Sequence, residues 1–126
     1  MTKDLTVSIQ DRPGTLARVA EALGAAGVNI EGIGGFAVYN EAVAHLLLED
    51  GDVARARNAI EEAGANVEAE RDVIVVELTD RPGALGALAR RIADAGVNLN
   101  LVYMATRTRL VVGSDDLRKL RAALGA

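Results

Sequence analysis

Residues 5–30 read LTVSIQDRPGTLARVAEALGAAGVNI, and residues 74–99 read IVVELTDRPGALGALARRIADAGVNL. The two stretches align without a gap at an offset of 69, and 11 of the 26 positions are identical. Asp11, Arg12, Pro13 and Gly14 recur as Asp80, Arg81, Pro82 and Gly83, and Ala26, Gly27, Val28 and Asn29 recur as Ala95, Gly96, Val97 and Asn98. Val7, Leu16 and Ala20 recur as Val76, Leu85 and Ala89. Ordinary composition gives roughly two such matches by chance. The chain therefore carries an internal duplication, and its fold has to be read as one unit used twice.

Each copy predicts the same series of elements. Leu5, Val7 and Ile9 alternate with Thr6, Ser8 and Gln10, the period of a half-buried strand, and Ile74, Val76 and Leu78 repeat it. Leu16, Val19, Ala20 and Leu23 then fall on one face of a helix, as do Leu85, Leu88, Ala89 and Ile92. Gly27 and Gly96 end these helices, and a second strand is expected from Val28 and Val97. Third strands are expected over 42–48 and 110–112, followed by helices lined by Val53, Ala56, Ile60 and Ala63 and by Leu117, Leu120 and Leu124. Asp52 is a candidate cap for the first of these helices, and Ser114 or Asp115 for the second. Residues 66–70 read as a fourth strand in the first copy, while the second copy stops before one. Its hairpin region is also about five residues shorter. The reading is α+β: two ferredoxin-like β-α-β-β-α-β units in tandem, residues 1–71 and 72–126, the second lacking its last strand. No flexible linker separates them.

Composition narrows the function. Half the residues are apolar, so a core can form, but with one Phe, two Tyr and no Trp it must be built from aliphatic side chains. The same scarcity removes base-stacking platforms, and a formal charge of −4 opposes a phosphate backbone, so nucleic acid is not an expected partner. The absence of cysteine removes thiolate chemistry and most zinc sites. With His45 as the one histidine, neither a histidine metal cluster nor a Ser-His-Asp triad can be assembled. No apolar run approaches the ~20 residues of a membrane span. No signal peptide is legible, so a cytoplasmic protein without cofactor or metal, and without catalytic activity, is expected.

A unit of this size, with Asp11-Arg12-Pro13-Gly14 after its first strand and Gly27-Val28-Asn29-Ile30 after its first helix, resembles the ACT domain. The spacing of 18 residues from Asp11 to Asn29 recurs from Asp80 to Asn98. The resemblance covers nearly the whole chain in two copies and is nearest to small, free-standing tandem ACT proteins. It implies a regulatory protein that binds an amino acid at an interface between ACT units. It also implies association, as a homodimer or with an amino-acid biosynthetic enzyme. A non-catalytic subunit that docks on such an enzyme without binding ligand is the alternative.

Chemistry gives the same residues a role. Pro13 and Pro82 are expected in the first helical turn, where a missing N–H costs little. Gly14 and Gly83 would admit a ligand close to the backbone, and the unpaired N–H groups of that turn favour a carboxylate. Asp11 and Asp80 could hold an α-ammonium, or could instead cap their helices. Asn29 and Asn98 offer a donor and an acceptor, or could satisfy turn backbone, and Ile30 and Leu99 follow them at the strand entrance. Arg12 and Arg81 are either ligand clamps or solvated loop residues. Gly32, Gly34 and Gly35 suggest an open pocket or a bulge in the first copy, where the second has Leu101, Tyr103 and Met104. His45 reads as structural, Tyr103 as packing, and Glu61, Glu62, Glu68 and Glu70 as a solvated face. The third strand of copy one is apolar on both faces, so a second copy of the chain is expected to cover the side without helices.

Overall fold

In the computed structural model, which describes residues 1–125, the alternation that begins the chain forms a strand, β1 (Thr2–Gln10). It is followed by α1 (Thr15–Ala25), β2 (Gly32–Val38), β3 (Glu41–Glu49), α2 (Val53–Glu62) and β4 (Asn66–Asp72). A second compact unit begins at Val73, with β5 (Ile74–Glu77), α3 (Ala84–Asp94), β6 (Leu101–Ala105), β7 (Arg109–Gly113) and α4 (Leu117–Ala123). Among the described residues no helix is long and apolar enough to cross a membrane.

Unit 1 orders its strands β4-β1-β3-β2, with every neighbouring pair antiparallel, which is the ferredoxin-like arrangement. The β1–β3 register sets Leu5 opposite Leu46 and Val7 opposite Ala44. Val19 and Leu23 of α1, and Val53, Ala56, Ala59 and Ile60 of α2, pack with Leu5, Val7, Leu46 and Leu48 into one core. Burial of each large aliphatic side chain here stabilises the unit by roughly 1.5–3 kcal/mol. At the β4 edge the Lys3 ammonium donates to the Asp72 carboxylate, and this bond raises the lysine above its ordinary pKa.

The reverse face of β3 carries Val43, His45 and Leu47, and Leu47 is fully buried without belonging to the helix-side core. Opposite Leu47 stands Asp4, also fully buried. Its Oδ2 lies 2.9 Å from His45 Nδ1, so the one histidine of the chain holds an internal carboxylate. This partner of His45 is not apparent from strand periodicity, which assigns Asp4 only a place on the polar side.

Unit 2 sets β7 between β5 and β6, both antiparallel to it. Its core joins Ile74, Ile92, Leu110, Val112 and Leu120. Among the described residues no strand follows α4. The shortened hairpin reflects strands of 5 and 5 residues where unit 1 has 7 and 9. The unit 1 hairpin closes in two residues, Tyr39-Asn40, both at positive φ as the twist of such a turn demands, and the unit 2 hairpin closes in three, Thr106–Thr108, with Arg107 and Thr108 at positive φ.

Several local expectations need correction. The helices begin two residues beyond the prolines, at Thr15 and Ala84, so Pro13 and Pro82 lie in the preceding turn. Gly14 (φ 92) and Gly83 (φ 88) occupy the N-cap positions, and no side chain caps either helix, so Asp11 and Asp80 are not caps. What each glycine supplies is the left-handed conformation, because a Cβ at either would meet open space. The second strands start at Gly32 and Leu101, leaving Asn29, Ile30, Asn98 and Leu99 in the connections before them. The α4 cap is Asp116, which accepts from the Lys119 N–H, in place of Ser114 or Asp115. Asp52 stands at the N-cap of α2 but turns its carboxylate to Arg55. Leu16, Ala20 and Leu85 are exposed although they continue the apolar stripe of their helices.

Thr108 is β-branched and sits at φ 53, where a side chain crowds its own backbone. Thr108→Gly keeps the carbonyl that accepts from the Leu78 N–H and removes the crowding. We expect it to raise unfolding free energy by about 1 kcal/mol, read as a higher urea midpoint at unchanged slope.

Candidate functional site

The turn between β1 and α1 is fixed by short-range bonds. The Asp11 N–H donates to the Asn40 carbonyl at 2.9 Å, tying this turn to the β2–β3 hairpin. The Thr15 hydroxyl donates to the Gln10 carbonyl at 2.7 Å, and the Arg12 N–H donates to the same carbonyl at 3.1 Å. The chain therefore leaves β1 in a tight loop that presents the Asp11 and Arg12 side chains to solvent.

Between this loop and β2 opens a cleft of about 420 Å³, within the range of small-molecule sites. Asp11, Arg12, Gln10 and Thr15 form its polar end, and Ile33, Gly34, Gly35 and Phe36 form a wall from β2. Leu16, the first-turn leucine that α1 leaves out of the core, closes the side. Leu16, Ile33 and Phe36 are 52%, 45% and 65% exposed. Leu16 and Ile33, on the helix side of the sheet, are large apolar side chains turned to water at one concavity and mark a place where something apolar can be buried, while Phe36, opposite Val43, points to the reverse face. Arg12 and Asp11 have no ion-pair partner among the described residues, so opposite charges stand unused beside that apolar wall.

Gly35 explains why the wall is open. A Cβ there would meet the Val43 carbonyl oxygen at 2.7 Å and the Ala44 Cα at 3.1 Å, both backbone atoms. In unit 2 the corresponding β6 positions are Tyr103 and Met104, so the space left by Gly34 and Gly35 is a property of unit 1.

A second cavity of about 200 Å³ lies on the other side of the turn. It shares Gln10, Arg12 and Thr15 with the cleft and continues to Arg18 and Asn66.

The structure thus brings Asp11 and Arg12 together with the glycines of β2, while Gly14, Asn29 and Ile30 stand outside the cleft lining. Ile30 packs against the unit 1 core, and Leu99 against that of unit 2. Arg81 lines a cavity of about 310 Å³ with Thr79 and Leu88. Asn98 lines a different one of about 250 Å³ with Asp115, Asp116 and Lys119. Asp80 and Gly83 line neither. Sequence reasoning missed Leu16, Ile33, Phe36 and Arg18. The available signal was a phenylalanine in a glycine-rich strand of a chain otherwise poor in aromatics. Among the described residues no cluster of three or more acidic or histidine side chains is placed to hold a metal ion.

A family model described as the ACT domain matches residues 3–68. The chain belongs to the ACT-domain family. The matched segment runs from the start of β1 to the first three residues of β4 and contains the whole cleft. Among solved structures, a protein from Bacteroides thetaiotaomicron is 21% identical with a TM-score of 0.82, covering 98% of this chain and 85% of that one. The ligand-free regulatory subunit of aspartate kinase from Thermus thermophilus is 21% identical with a TM-score of 0.72, covering 99% and 91%. The corresponding subunit from Thermus flavus is 20% identical with a TM-score of 0.70, covering 98% and 92%. What this ACT chain shares with all three is the fold. Comparison with curated proteins gives no match.

Because backbone atoms cannot step aside, Gly35→Ala should force β2 away from β3. We expect a loss of about 1–3 kcal/mol of stability, measured by urea unfolding.

Proposed function

We propose that this ACT chain is a non-catalytic regulatory protein that binds an amino acid with an apolar side chain in the unit 1 cleft. The observation that carries the reading is the juxtaposition of Asp11 and Arg12 with Leu16 and Ile33 around one concavity. An amino acid is a zwitterion with a side chain. Arg12 offers its planar donors to the carboxylate, and the first N–H groups of α1 add a favourable dipole. Asp11 accepts from the α-ammonium. The apolar wall receives the side chain, and an adjoining ACT module closes the open side. In this reading the segment from Val73 onward is a second ACT module that lacks one strand, and the chain works as a homodimer.

Membership of a family of ligand-sensing modules supports the reading. So does the fold shared with regulatory subunits of aspartate kinase, although each of those names belongs to its own protein. A second reading has its own support: Val38 and Tyr39 at the hairpin tip are 45% and 95% exposed, which suits docking on a biosynthetic enzyme without ligand.

A thermal-shift screen against the twenty amino acids tests the first reading. At ~100 times its dissociation constant a ligand adds about 2.7 kcal/mol, visible as a clear rise in Tm. Leucine, isoleucine, valine, methionine or phenylalanine should raise it. Arg12→Gln should abolish the rise, and Ile33→Ala should reduce it. If no amino acid moves Tm at millimolar concentration, the docking reading replaces this one. If only charged amino acids do, the assignment to the apolar wall is wrong.

A further inference from the structure

Unit 1 has five arginines, and they divide by what they hold. Arg55 pairs with Asp52, Arg57 bonds Glu70 at 3.2 Å, and Arg71 is engaged as well. The guanidinium groups of Arg12 and Arg18 have no ion-pair or hydrogen-bond partner among the described residues, and both residues line the cavity of about 200 Å³ between α1 and the start of β4. Two guanidinium groups lining one concavity repel each other, and one carboxylate stands in the wall against the two of them. Glu41 is the only carboxylate there, and it bridges neither arginine. The rest of the polar lining is neutral: the amide side chains of Gln10 and Asn66 can donate, while the hydroxyls of Thr15 and Ser8 already donate to the Gln10 carbonyl and to Glu68.

We infer that this cavity is an anion site, adjoining the amino-acid cleft and sharing Arg12 with it, that takes a phosphate or carboxylate group of a small molecule between Arg12 and Arg18. Guanidinium groups suit both oxyanions, since their planar donors match two oxygens at once. The internal repeat supplies a contrast. At the offset of 69, Arg12 has a counterpart in Arg81, but Arg18 is replaced by Ala87 and Ser8 by Glu77. The unit 2 cavity at this place has Arg91 in its lining, yet that side chain is already bound to the Ala123 carbonyl at 3.1 Å. The paired, unengaged arginines therefore belong to unit 1, and the site depends on Arg18, which does not line the amino-acid cleft.

The test is an NMR titration of the intact chain with inorganic phosphate and, separately, with succinate, at constant pH and ionic strength. Saturable shifts of the Gly64, Ala65 and Asn66 amides and of the Arg18 side chain are expected. Arg18→Gln, an exposed change to another good helix former, should weaken binding roughly five- to tenfold. Arg81→Gln should leave it unchanged. Saturation by phosphate alone assigns a phosphate ester, and saturation by both assigns any oxyanion. Shifts that grow linearly at every exposed arginine, or binding untouched by Arg18→Gln, would overturn the site. Amino-acid binding in the adjoining cleft is read separately through Ile33→Ala, so either assignment can fail alone.

Discussion

The ladder between β1 and β3 pairs Thr2 with Glu49 at one end and Gln10 with Glu41 at the other, and its register decides what each face of unit 1 presents. In that register Leu5, Val7, Leu46 and Leu48 meet the helices, while Asp4 and His45 meet each other on the reverse side. A slip of one residue would turn every side chain of β1 over. It would carry the Asp4 carboxylate into an aliphatic core and away from His45, and would leave Leu5 on the side it now avoids. A buried carboxylate without its partner costs several kcal/mol, more than the loss of any one aliphatic contact in the strand. The hydrogen bond on one face and the apolar packing on the other therefore select the same pairing. The end of β1 follows from it, and with the end of β1 the position of Asp11 and Arg12 opposite β2.

The two units show how a duplicated framework can hold unlike surfaces. The turn of Asp11 to Gly14 and that of Asp80 to Gly83 are built alike, with left-handed glycines at φ 92 and φ 88 and the same backbone bonds closing them. Those bonds need only the backbone and a residue free to take positive φ, so the motif survives while its neighbours change. What differs is the material set against the turn. Unit 1 places two small residues on β2 where unit 2 has Tyr103 and Met104, and an arginine on α1 where unit 2 has Ala87. Cavities are made by side chains across the sheet, so a repeated turn does not imply a repeated site.

This also sets what could be read from the sequence. Periodicity located the strands and helices, because alternation and the 3.6-residue stripe are local signals. The stripe did not say where a helix runs off its core. Leu16 and Ala20 continue the face of Val19 and Leu23, yet the core ends at Val19, and the leucine beyond it lines a cleft instead. The helix starts were misplaced for a related reason: proline at a helix start is a strong prior, but here each following glycine takes the cap conformation and moves the first turn onward. Asp11 and Arg12 were legible as candidates from the motif. Ile33 and Arg18 were not, since their importance comes from facing residues more than five positions away in the chain. Asp4 was equally hidden, because its burial depends on a strand about 40 residues distant.

In the proposed amino-acid reading, a division of labour within the cleft follows from the same geometry. Every amino acid offers the same carboxylate and α-ammonium, so Arg12 and Asp11 can select for amino acids as a class but cannot choose among them. Choice falls to Leu16 and Ile33. A hydrophobic wall discriminates by about 1–3 kcal/mol per methylene gained or lost, a factor of roughly 10 to 200. It rejects a charged side chain more strongly, since that group would lose water and find no partner there. Widening at Gly34 and Gly35 sets how long a side chain fits before it meets the β3 backbone. The glycines that weaken β2 as a strand are thus the residues that give the apolar wall its depth, and a substitution filling that depth trades recognition for sheet stability.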